Sequence, residues 1–365
     1  MPSLRSLLGR RAPSPNPQAL PRRTGLNVLY DPTAQGFGVS MDIVFVHGLN
    51  GHYIHTWEES SVCWPRDLLP RRMENARVLS FSYDADIYNS ASLGRIRDHG
   101  LNLLIHLIAN RPQTGIEKFE RPIVFVAHSL GGLLVKEALR EAKQHSEDMG
   151  HKAILAATRG FVFFSTPHGG SSEDSWLRIA DGFAPLGARL GFGRGRVSPL
   201  VEALKENASS LYDLVQDFRH LAEHYALVSL YETEAYGSSG AAIVDKSSAL
   251  TYLPHEEQLG IPASHTGMCR FTSLDNQWFH AVVKRIERAS RGRVDSQGRS
   301  KGVVSAGEPV GVPVAFTGEA PQPRVLEVRE ITDGSESVSA AEFYGHWRKT
   351  DVRDVLGYQN ATAVR

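Results

Sequence analysis

The sequence predicts an α/β protein whose central sheet is mostly parallel and is covered by helices on both faces. The first observation is a series of short apolar runs with the length of buried strands, such as Asp42–Val46 and Gly160–Ser165. The second is that stretches with helical apolar spacing separate these runs. A strand buried on both faces is apolar throughout, and parallel strands need crossover connections, which helices supply.

The predicted elements extend from residue 25 to residue 290. Strands are expected at Gly25–Tyr30, Asp42–Val46, Ala76–Tyr83, Pro122–Ala127, Gly160–Ser165 and Tyr225–Tyr231, and helices at Leu93–Ala109, 131–143 and Leu274–Ala289. Residues 25–290 therefore form the predicted folded domain. Residues 1–24 are expected to be a disordered basic segment. Residues 291–365 shift in composition to Arg, Gly, Ser, Val and Pro, which predicts a linker and a poorly structured tail.

The composition excludes several classes of function. Lys and Arg together number 40, as do Asp and Glu, so the formal net charge is zero and no global field attracts nucleic acid or acidic membranes. No apolar stretch approaches the ~20 residues that a transmembrane helix needs. Cys63 and Cys269 lie outside any metal-ligand or disulfide-framework spacing, which predicts two reduced thiols. We expect no metal, no cofactor and no nucleic-acid partner.

The N-terminal segment has two interpretations. Residues 1–30 contain arginines but no Asp or Glu, which is the composition of a mitochondrial transit peptide. Four prolines between Pro13 and Pro21 forbid a long helix there and favour a disordered tail instead.

The most informative motif is Ala127-His128-Ser129-Leu130-Gly131-Gly132, which lies where a predicted strand ends and a predicted helix begins. A nucleophile elbow requires this context, because it is a tight turn that raises a serine above the carboxyl edge of the sheet. Small residues must flank the serine, and Ala127 stands here in place of the usual first glycine. The sequence thus predicts an α/β-hydrolase fold with Ser129 as its nucleophile.

A serine nucleophile needs a base that takes its proton, and three downstream histidines could supply one. His280 falls within the last predicted helix, where packing is the simpler role. His255 lies in an acidic loop, Pro254-His-Glu-Glu257, and is expected to be solvated. His265 lies in a turn-rich loop just before the last helix, where the base of this fold must be to reach the elbow. We therefore predict His265 as the base.

The acid that orients the base has two candidates. Glu232 directly follows the strand Tyr225–Tyr231, which puts its carboxylate at the carboxyl edge of the sheet. Asp245 comes thirteen residues later, and Asp is the commoner acid in this fold. Placement at the strand end favours Glu232, and Asp245 stays as the rival acid.

The remaining catalytic requirement is an oxyanion hole of two backbone N–H groups. One is expected from Leu130, the residue after the nucleophile, and the other from Leu49 in the loop His47–Gly51 after an early strand. Residues 171–224 form a long helical insertion at the point where this fold places a lid. Within it, the apolar stretch Phe183–Phe192 is interpreted either as a lid or interfacial contact or as core packing.

These residues together resemble the serine-active-site-containing protein family of α/β-hydrolases, which is related to domains that open many fungal NOD-like proteins. The resemblance extends from about Gly25 to Arg288. It rests on short matches in one order, at Val28–Asp31, Asp42–Leu49, His55–Trp57, Trp64–Pro70, Ala76–Val78, Arg121-Pro122, His128–Gly132, Phe163–Gly169, Tyr231–Thr233 and His265–Phe271. The family keeps a Glu-Thr pair at the strand end, which implies Glu232 as the acid. The chain departs from the family at Ala127, where glycine is common, and at Asp245, where proline is common.

The resemblance implies hydrolysis of carboxylic esters, in particular acyl lipids, at endoplasmic-reticulum or mitochondrial membranes. We accordingly expect an intracellular chain, soluble or in peripheral contact with a membrane. The residues themselves leave two alternatives. One is acyl transfer to an alcohol other than water, and the other is a non-catalytic signalling or scaffold module of the same fold. The oligomeric state is left open.

Overall fold

Within the described residues, a sheet of seven strands is the centre of the structure. The structure is a computed structural model that describes residues 24–48, 50–83, 94–111, 120–169, 174–185, 199–237 and 240–293. In chain order the strands are β1 (Gly25–Tyr30), β2 (Met41–Val46), β3 (Glu58–Glu59), β4 (Val62–Cys63), β5 (Ala76–Ser82), β6 (Ile123–His128), β7 (Thr158–Phe164), β8 (Ala226–Glu232) and β9 (Glu256–Ile261). The sheet order is β1-β5-β2-β6-β7-β8-β9, and β3 and β4 form a separate hairpin. β1 is antiparallel to β5 and every other pairing in the large sheet is parallel, so the predicted mostly parallel sheet is confirmed.

Helices cover both faces of this sheet, as predicted. The α-helices are α1 (Trp64–Asp67), α2 (Gly94–Ala109), α3 (Gly131–Gln144), α4 (Met149–Ala157), α5 (Asp174–Gly182), α6 (Pro199–Glu206), α7 (Ala208–Ala222) and α8 (Gln277–Ser290), with 3₁₀ turns at Pro32–Gln35, His55–Trp57 and Leu69–Arg71. Val44 and Val46 of β2 belong to the core that contains α2, α3, α4 and α7, whereas Ile43 and Phe45 belong to the core that contains α1 and α8. Alternate residues of one strand thus enter opposite cores, which is why the strand is apolar throughout.

The last predicted helix is confirmed as α8, which begins three residues later than Leu274. It begins there because the Asn276 side chain accepts hydrogen bonds from Trp278 N (2.9 Å) and Phe279 N (3.1 Å), the arrangement of an N-cap. Its apolar stripe, including Phe279 and Ile286, is buried against the sheet.

Several elements of two to four residues and two longer ones, β9 and α4, were not expected from the sequence. β9 lies in the stretch interpreted as an acidic loop, and it pairs in parallel with β8 at the edge of the sheet. The carboxylates of this strand have side-chain partners. Glu256 accepts a hydrogen bond from Ser229 Oγ at 2.6 Å, and Glu257 forms an ion pair with Arg285 at 2.9 Å. The expectation of a solvated His255 was wrong, because its Nε2 lies 3.0 Å from Ala222 O and the side chain is part-buried. α4 was also missed.

The interval 171–224, predicted as a lid, includes a helix that covers the sheet. Phe218 of α7 packs edge-on against Phe161 at 5.2 Å and Phe163 at 5.9 Å, so this helix belongs to the layer over the parallel strands. The lid stays a prediction for the residues before α7. Of the apolar stretch Phe183–Phe192, residues 186–192 lie outside the described residues, and Phe183 is fully buried.

A buried charge cluster closes the amino edge of the sheet. Asp42, at the start of β2, is 0% exposed and is surrounded by three arginines. Its Oδ1 accepts from Arg77 Nε at 2.7 Å, and its Oδ2 accepts from Arg111 Nη1 and from Arg121 Nε, the latter at 3.2 Å. A buried carboxylate is tolerated only when it is paired, so Asp42 depends on these arginines. The three contacts connect the starts of β2 and β5 to the segments around residues 111 and 121.

Candidate active site

Ser129 occupies the sharp turn between β6 and α3. Its φ is +54°, in the left-handed region that residues other than glycine rarely adopt, and its N–H donates to Phe164 O at 2.9 Å. β6 ends at His128 and α3 begins at Gly131, so the turn has two residues. A strained serine in a tight turn from a strand to a helix has the backbone geometry of a nucleophile elbow.

Two glycines allow the loop after β2 to touch this turn. A Cβ added to Gly131 would lie 2.3 Å from His47 O and 2.6 Å from Val46 O. A Cβ added to Gly48 would lie 2.8 Å from Ser129 Cβ. Any other residue at either position would push the two segments apart, so the glycines set the distance between the loop and the serine.

Ser129, His265 and Glu232 come together at the carboxyl edge of the sheet. Ser129 Oγ lies 2.9 Å from His265 Nε2, and His265 Nδ1 lies 3.3 Å from Glu232 Oε1 and 3.2 Å from Oε2. A carboxylate only accepts hydrogen bonds, so Nδ1 carries the proton and Nε2 is free to accept from the serine hydroxyl. The three residues are 2%, 1% and 3% exposed, so water does not compete for these hydrogen bonds.

The strand order explains how three distant residues meet. Ser129 follows β6, Glu232 ends β8, and His265 lies in the turn after β9, where Gly267 N and Met268 N both donate to Ser264 O at 3.0 Å. Because neighbouring parallel strands end at the same edge, all three side chains reach that edge. β9, which the sequence did not predict, is the strand that carries the histidine there.

The Glu232 carboxylate is also held by backbone groups. Val244 N–H donates to Glu232 Oε1 at 2.6 Å, and the N–H of Glu232 itself donates to Ser165 Oγ at 3.1 Å. Ser165 follows β7 and has a φ of +40°, so a second strained serine lies at the carboxyl edge. These contacts fix both the backbone and the side chain of Glu232.

His128 connects the elbow to the loop that contains His265. Its Nε2–H donates to His265 O at 2.9 Å, and the two rings lie 4.8 Å apart. Burial, together with the neighbouring His265, lowers the pKa of His128 well below its usual value. Burial also lowers the pKa of His47, in the loop after β2, to about 4. Both imidazoles are therefore neutral near pH 7 and add no positive charge beside His265.

The other predicted site residues have different positions. Asp245 is exposed, and its Oδ1 accepts from Ser247 Oγ at 2.5 Å and Ser248 N at 2.8 Å within its own turn. Leu130 is the N-cap residue of α3, where backbone N–H groups have no partner inside the helix. Leu49 lies outside the described residues. His255 and His280 contact Ala222 O and Phe279, and it is His265 that lies beside Ser129.

The sequence analysis did not predict three contacts of this site, namely those of Ser165, His128 and Val244. Ser165 and His128 both lie inside short motifs that the sequence already singled out, so their motifs were a usable signal. Val244 contacts Glu232 through its backbone N–H, which any residue except proline carries, so the residue type gave no signal.

Among the described residues, no His, Cys, Asp or Glu side chains form a group of three that could hold a metal ion. Cys63 and Cys269 are free, buried thiols whose pKa burial raises to about 12.

The sheet topology and the strained serine define the α/β-hydrolase class. The chain belongs to the alpha/beta hydrolase family, whose model matches residues 43–295. It is similar to protein SERAC1 of Danio rerio, with 29% identity over 299 residues that cover 74% of this chain and 42% of that protein. Human (Homo sapiens) SERAC1 is 27% identical over 165 residues, which cover 40% of this chain and 24% of that protein. The chain thus spans less than half the length of these relatives.

The chain is also similar to solved structures, at low identity. The mature lipase BlEst2 of Bacillus licheniformis is 18% identical and has a TM-score of 0.42, and the match covers 68% of this chain and 92% of that one. The thioesterase domain NocB of the nocardicin cluster is 14% identical and has a TM-score of 0.38, and the match covers 73% of this chain and 98% of that one. Every helix in the described part of the chain is too short or too polar to cross a membrane.

Proposed function

We propose that this chain is a serine hydrolase that cleaves carboxylic esters through an acyl-enzyme. One observation carries the proposal, namely the buried chain of contacts from Ser129 Oγ to His265 Nε2 at 2.9 Å and from His265 Nδ1 to the Glu232 carboxylate at 3.2 Å. Acyl transfer requires a nucleophile, a base whose Nε2 is free to accept a proton, and an acid that contacts Nδ1 of the base.

In the proposed reaction, Ser129 Oγ attacks the ester carbonyl while His265 Nε2 takes the hydroxyl proton. The carbonyl oxygen becomes an oxyanion, which the N–H groups of Leu49 and Leu130 would hold. His265 then returns the proton to the departing alkoxide, which leaves as the alcohol, and the acyl group stays on Ser129. Water then attacks this acyl-enzyme while His265 takes its proton. The bond between the acyl carbon and Ser129 Oγ breaks, and His265 gives the proton to Oγ, so the products are the carboxylic acid and the free serine.

Glu232 acts in this reaction by orienting the imidazole. Its carboxylate keeps the proton on Nδ1 and stabilises the positive charge that His265 gains when Nε2 is protonated. Because the pair is buried, this charge-assisted hydrogen bond is stronger than it would be in water. Glu232 is therefore proposed as the acid, and Asp245, turned into its own loop, is not.

Acyl lipids are the proposed substrate class. Phe183, fully buried, packs edge-on against the His265 ring at 5.9 Å, so the base has an apolar neighbour from the segment that follows α5. The surroundings of the base are therefore apolar on this side, as in pockets that bind apolar ligands. We also propose that the chain makes peripheral contact with endoplasmic-reticulum or mitochondrial membranes, as the family resemblance implies.

A fluorophosphonate probe tests whether Ser129 is a nucleophile, because it labels activated serines covalently. The folded wild-type protein should be labelled, and Ser129→Ala and His265→Ala should not. Ser61→Ala is the matched control, since Ser61 is an exposed serine with a similarly left-handed φ of +66°. Absence of labelling from the wild type would favour the non-catalytic scaffold, and labelling that survives Ser129→Ala would overturn Ser129 as the nucleophile.

The substrate class is tested on lipids. Total lipid extract incubated with wild-type protein should lose specific acyl esters and gain free fatty acids by mass spectrometry, whereas extract incubated with Ser129→Ala should not. An added alcohol acceptor separates hydrolysis from acyl transfer. New esters of that alcohol in place of free fatty acid would assign the chain to acyl transfer.

A further inference from the structure

The segment 243–250, between β8 and β9, contacts the Glu232 carboxylate through its backbone. Val244 N–H donates to Glu232 Oε1 at 2.6 Å, and Ile243 and Val244 are 2% and 1% exposed. A buried N–H aimed at a carboxylate makes a strong, directional hydrogen bond. The orientation of Glu232 towards His265 therefore depends on where the Val244 peptide is held.

Asp245 closes the turn that directly follows this peptide. Its Oδ1 accepts from Ser247 Oγ at 2.5 Å and from Ser248 N at 2.8 Å. Its backbone oxygen accepts from Ser248 N at 3.0 Å and from Ala249 N at 2.9 Å. The side chain and the main chain of Asp245 thus bind the same turn, and the carboxylate acts there as a cap.

Both flanks of the turn are fixed by other elements. On one side His168 N–H donates to Ser248 O at 2.7 Å. On the other side, a Cβ added to Gly182, at the end of α5, would lie 2.4 Å from Ile243 O, so the helix abuts that carbonyl directly. Between these two fixed points, the Asp245 cap sets the path of the chain.

We propose that Asp245 is a positioning residue that acts on the acid Glu232 through the backbone of Val244. The cap holds the Val244 N–H on Glu232 Oε1, and this contact keeps the carboxylate directed at His265 Nδ1. This inference rests on the proposed function, because it assigns a role in the same triad. It also gives Asp245, the rival acid, a role that depends on its hydrogen-bond acceptor and not on its charge.

Three variants separate the cap, the charge and the acid, with p-nitrophenyl butyrate as the substrate. Asp245→Ala removes the acceptor and should lower kcat about 10-fold while KM changes less than about 2-fold, because the substrate does not touch the turn. Asp245→Asn keeps an oxygen that accepts from Ser248 N and should stay within about 2-fold of the wild type. Glu232→Gln should lose about 10³-fold or more.

Asp31→Ala is the matched control for the loss of a cap. Asp31 is an aspartate of the same kind, since its Oδ1 accepts from Thr33 N at 2.9 Å and Thr33 Oγ1 at 2.6 Å, and it lies at the amino edge of the sheet. The control should lower the melting temperature about as much as Asp245→Ala does, with kcat unchanged. If Asp245→Ala does not fold, Asp245→Gly takes its place, because glycine costs little stability at a cap.

Each outcome decides one question. A wild-type kcat in Asp245→Ala or Asp245→Gly overturns the positioning role and leaves the proposed function intact. A loss in Asp245→Asn equal to that in Glu232→Gln makes Asp245 the acid and overturns it as well. A wild-type protein that neither hydrolyses the ester nor reacts with a fluorophosphonate overturns both proposals.

Discussion

Two buried carboxylates lie at opposite edges of one sheet, and their surroundings differ. Asp42, at the amino edge, is surrounded by the guanidinium groups of Arg77, Arg111 and Arg121. Glu232, at the carboxyl edge, has one backbone N–H and one imidazole. The first carboxylate has more positive partners than its charge requires, whereas the second acquires a full positive partner only when His265 is protonated.

The carboxyl edge also contains strained backbone. Ser129 and Ser165, at the carboxyl edge, have φ values of +54° and +40°. Strained backbone of this kind persists only where the surrounding structure holds it, and here β6, β7 and β8 do so. We therefore expect substitutions at the amino edge to lower stability and substitutions at the carboxyl edge to lower the proposed activity.

Replacing Glu232 gives the largest effect and tests the carboxyl edge. Glu232→Gln keeps the shape but removes the charge that balances a protonated His265, so kcat should fall by about 10³–10⁴ while the protein stays folded. The measurement is steady-state hydrolysis of a p-nitrophenyl ester. Asp42→Asn is the paired control, since it changes the same type of group at the other edge. A similar loss of kcat per folded molecule in both variants would contradict the division between the edges.

Asp42→Asn should instead lower the free energy of unfolding. Removing the carboxylate charge leaves three close guanidinium groups, whose side chains are 3%, 10% and 13% exposed. Breaking a buried ion pair in this way costs about 3–5 kcal/mol. Urea denaturation followed by tryptophan fluorescence measures it. Asp217→Asn, which removes an exposed carboxylate paired with Arg140 at 3.6 Å, should cost little. Equal losses in the two variants would show that the Asp42 cluster is not a main source of stability.

How much of this could be predicted from the sequence depends on how local each signal is. The buried strands and the elbow were predictable, because residue pattern and turn chemistry are local. The position of His265 beside Ser129 was predictable because its loop has a fixed place in the fold. The Asp42 cluster was not, since its arginines are 35, 69 and 79 residues away. β9 was missed because the polar pattern of an edge strand resembles that of a loop.

The choice of acid was harder still. Glu232 and Asp245 lie in one stretch of the chain, since Glu232 ends β8 and Asp245 lies in the segment that follows it. Which carboxylate meets the imidazole depends on where each side chain points after folding, and residue type does not encode that. Val244 contacts Glu232 through its backbone N–H, so the identity of residue 244 does not predict the contact.

His128→Ala should give a smaller effect, which sharpens the assignment of the carboxyl edge. The imidazole donates to His265 O and does not touch the reacting atoms, so removing it should lower kcat about 10-fold, with KM nearly unchanged. His128→Gln keeps an N–H donor and should recover part of that loss. Ester hydrolysis and thermal melts of both variants make the measurement. A glutamine variant no better than alanine would show that ring packing, and not the hydrogen bond, is what matters.

The smallest effect is a dependence of stability on pH that arises at the carboxyl edge. Burial lowers the pKa of His47 from 6.5 to about 4, so above about pH 6.5 both the folded and the unfolded chain keep it neutral. As the pH falls from about 6.5 towards 4, the unfolded chain binds a proton that the folded chain excludes. The free energy of unfolding then falls by up to about 1.4 kcal/mol per pH unit for this group. His128, whose pKa is lowered in the same direction, adds to the slope.

His47→Gln removes one of these groups and should flatten the slope by about 1 kcal/mol per pH unit between about pH 6 and pH 5, measured by urea denaturation. His220→Gln is the control, because His220 is exposed on α7 and should leave the slope unchanged. Equal slopes in the wild type and both variants would show that this acid sensitivity does not come from the buried histidine beside the elbow.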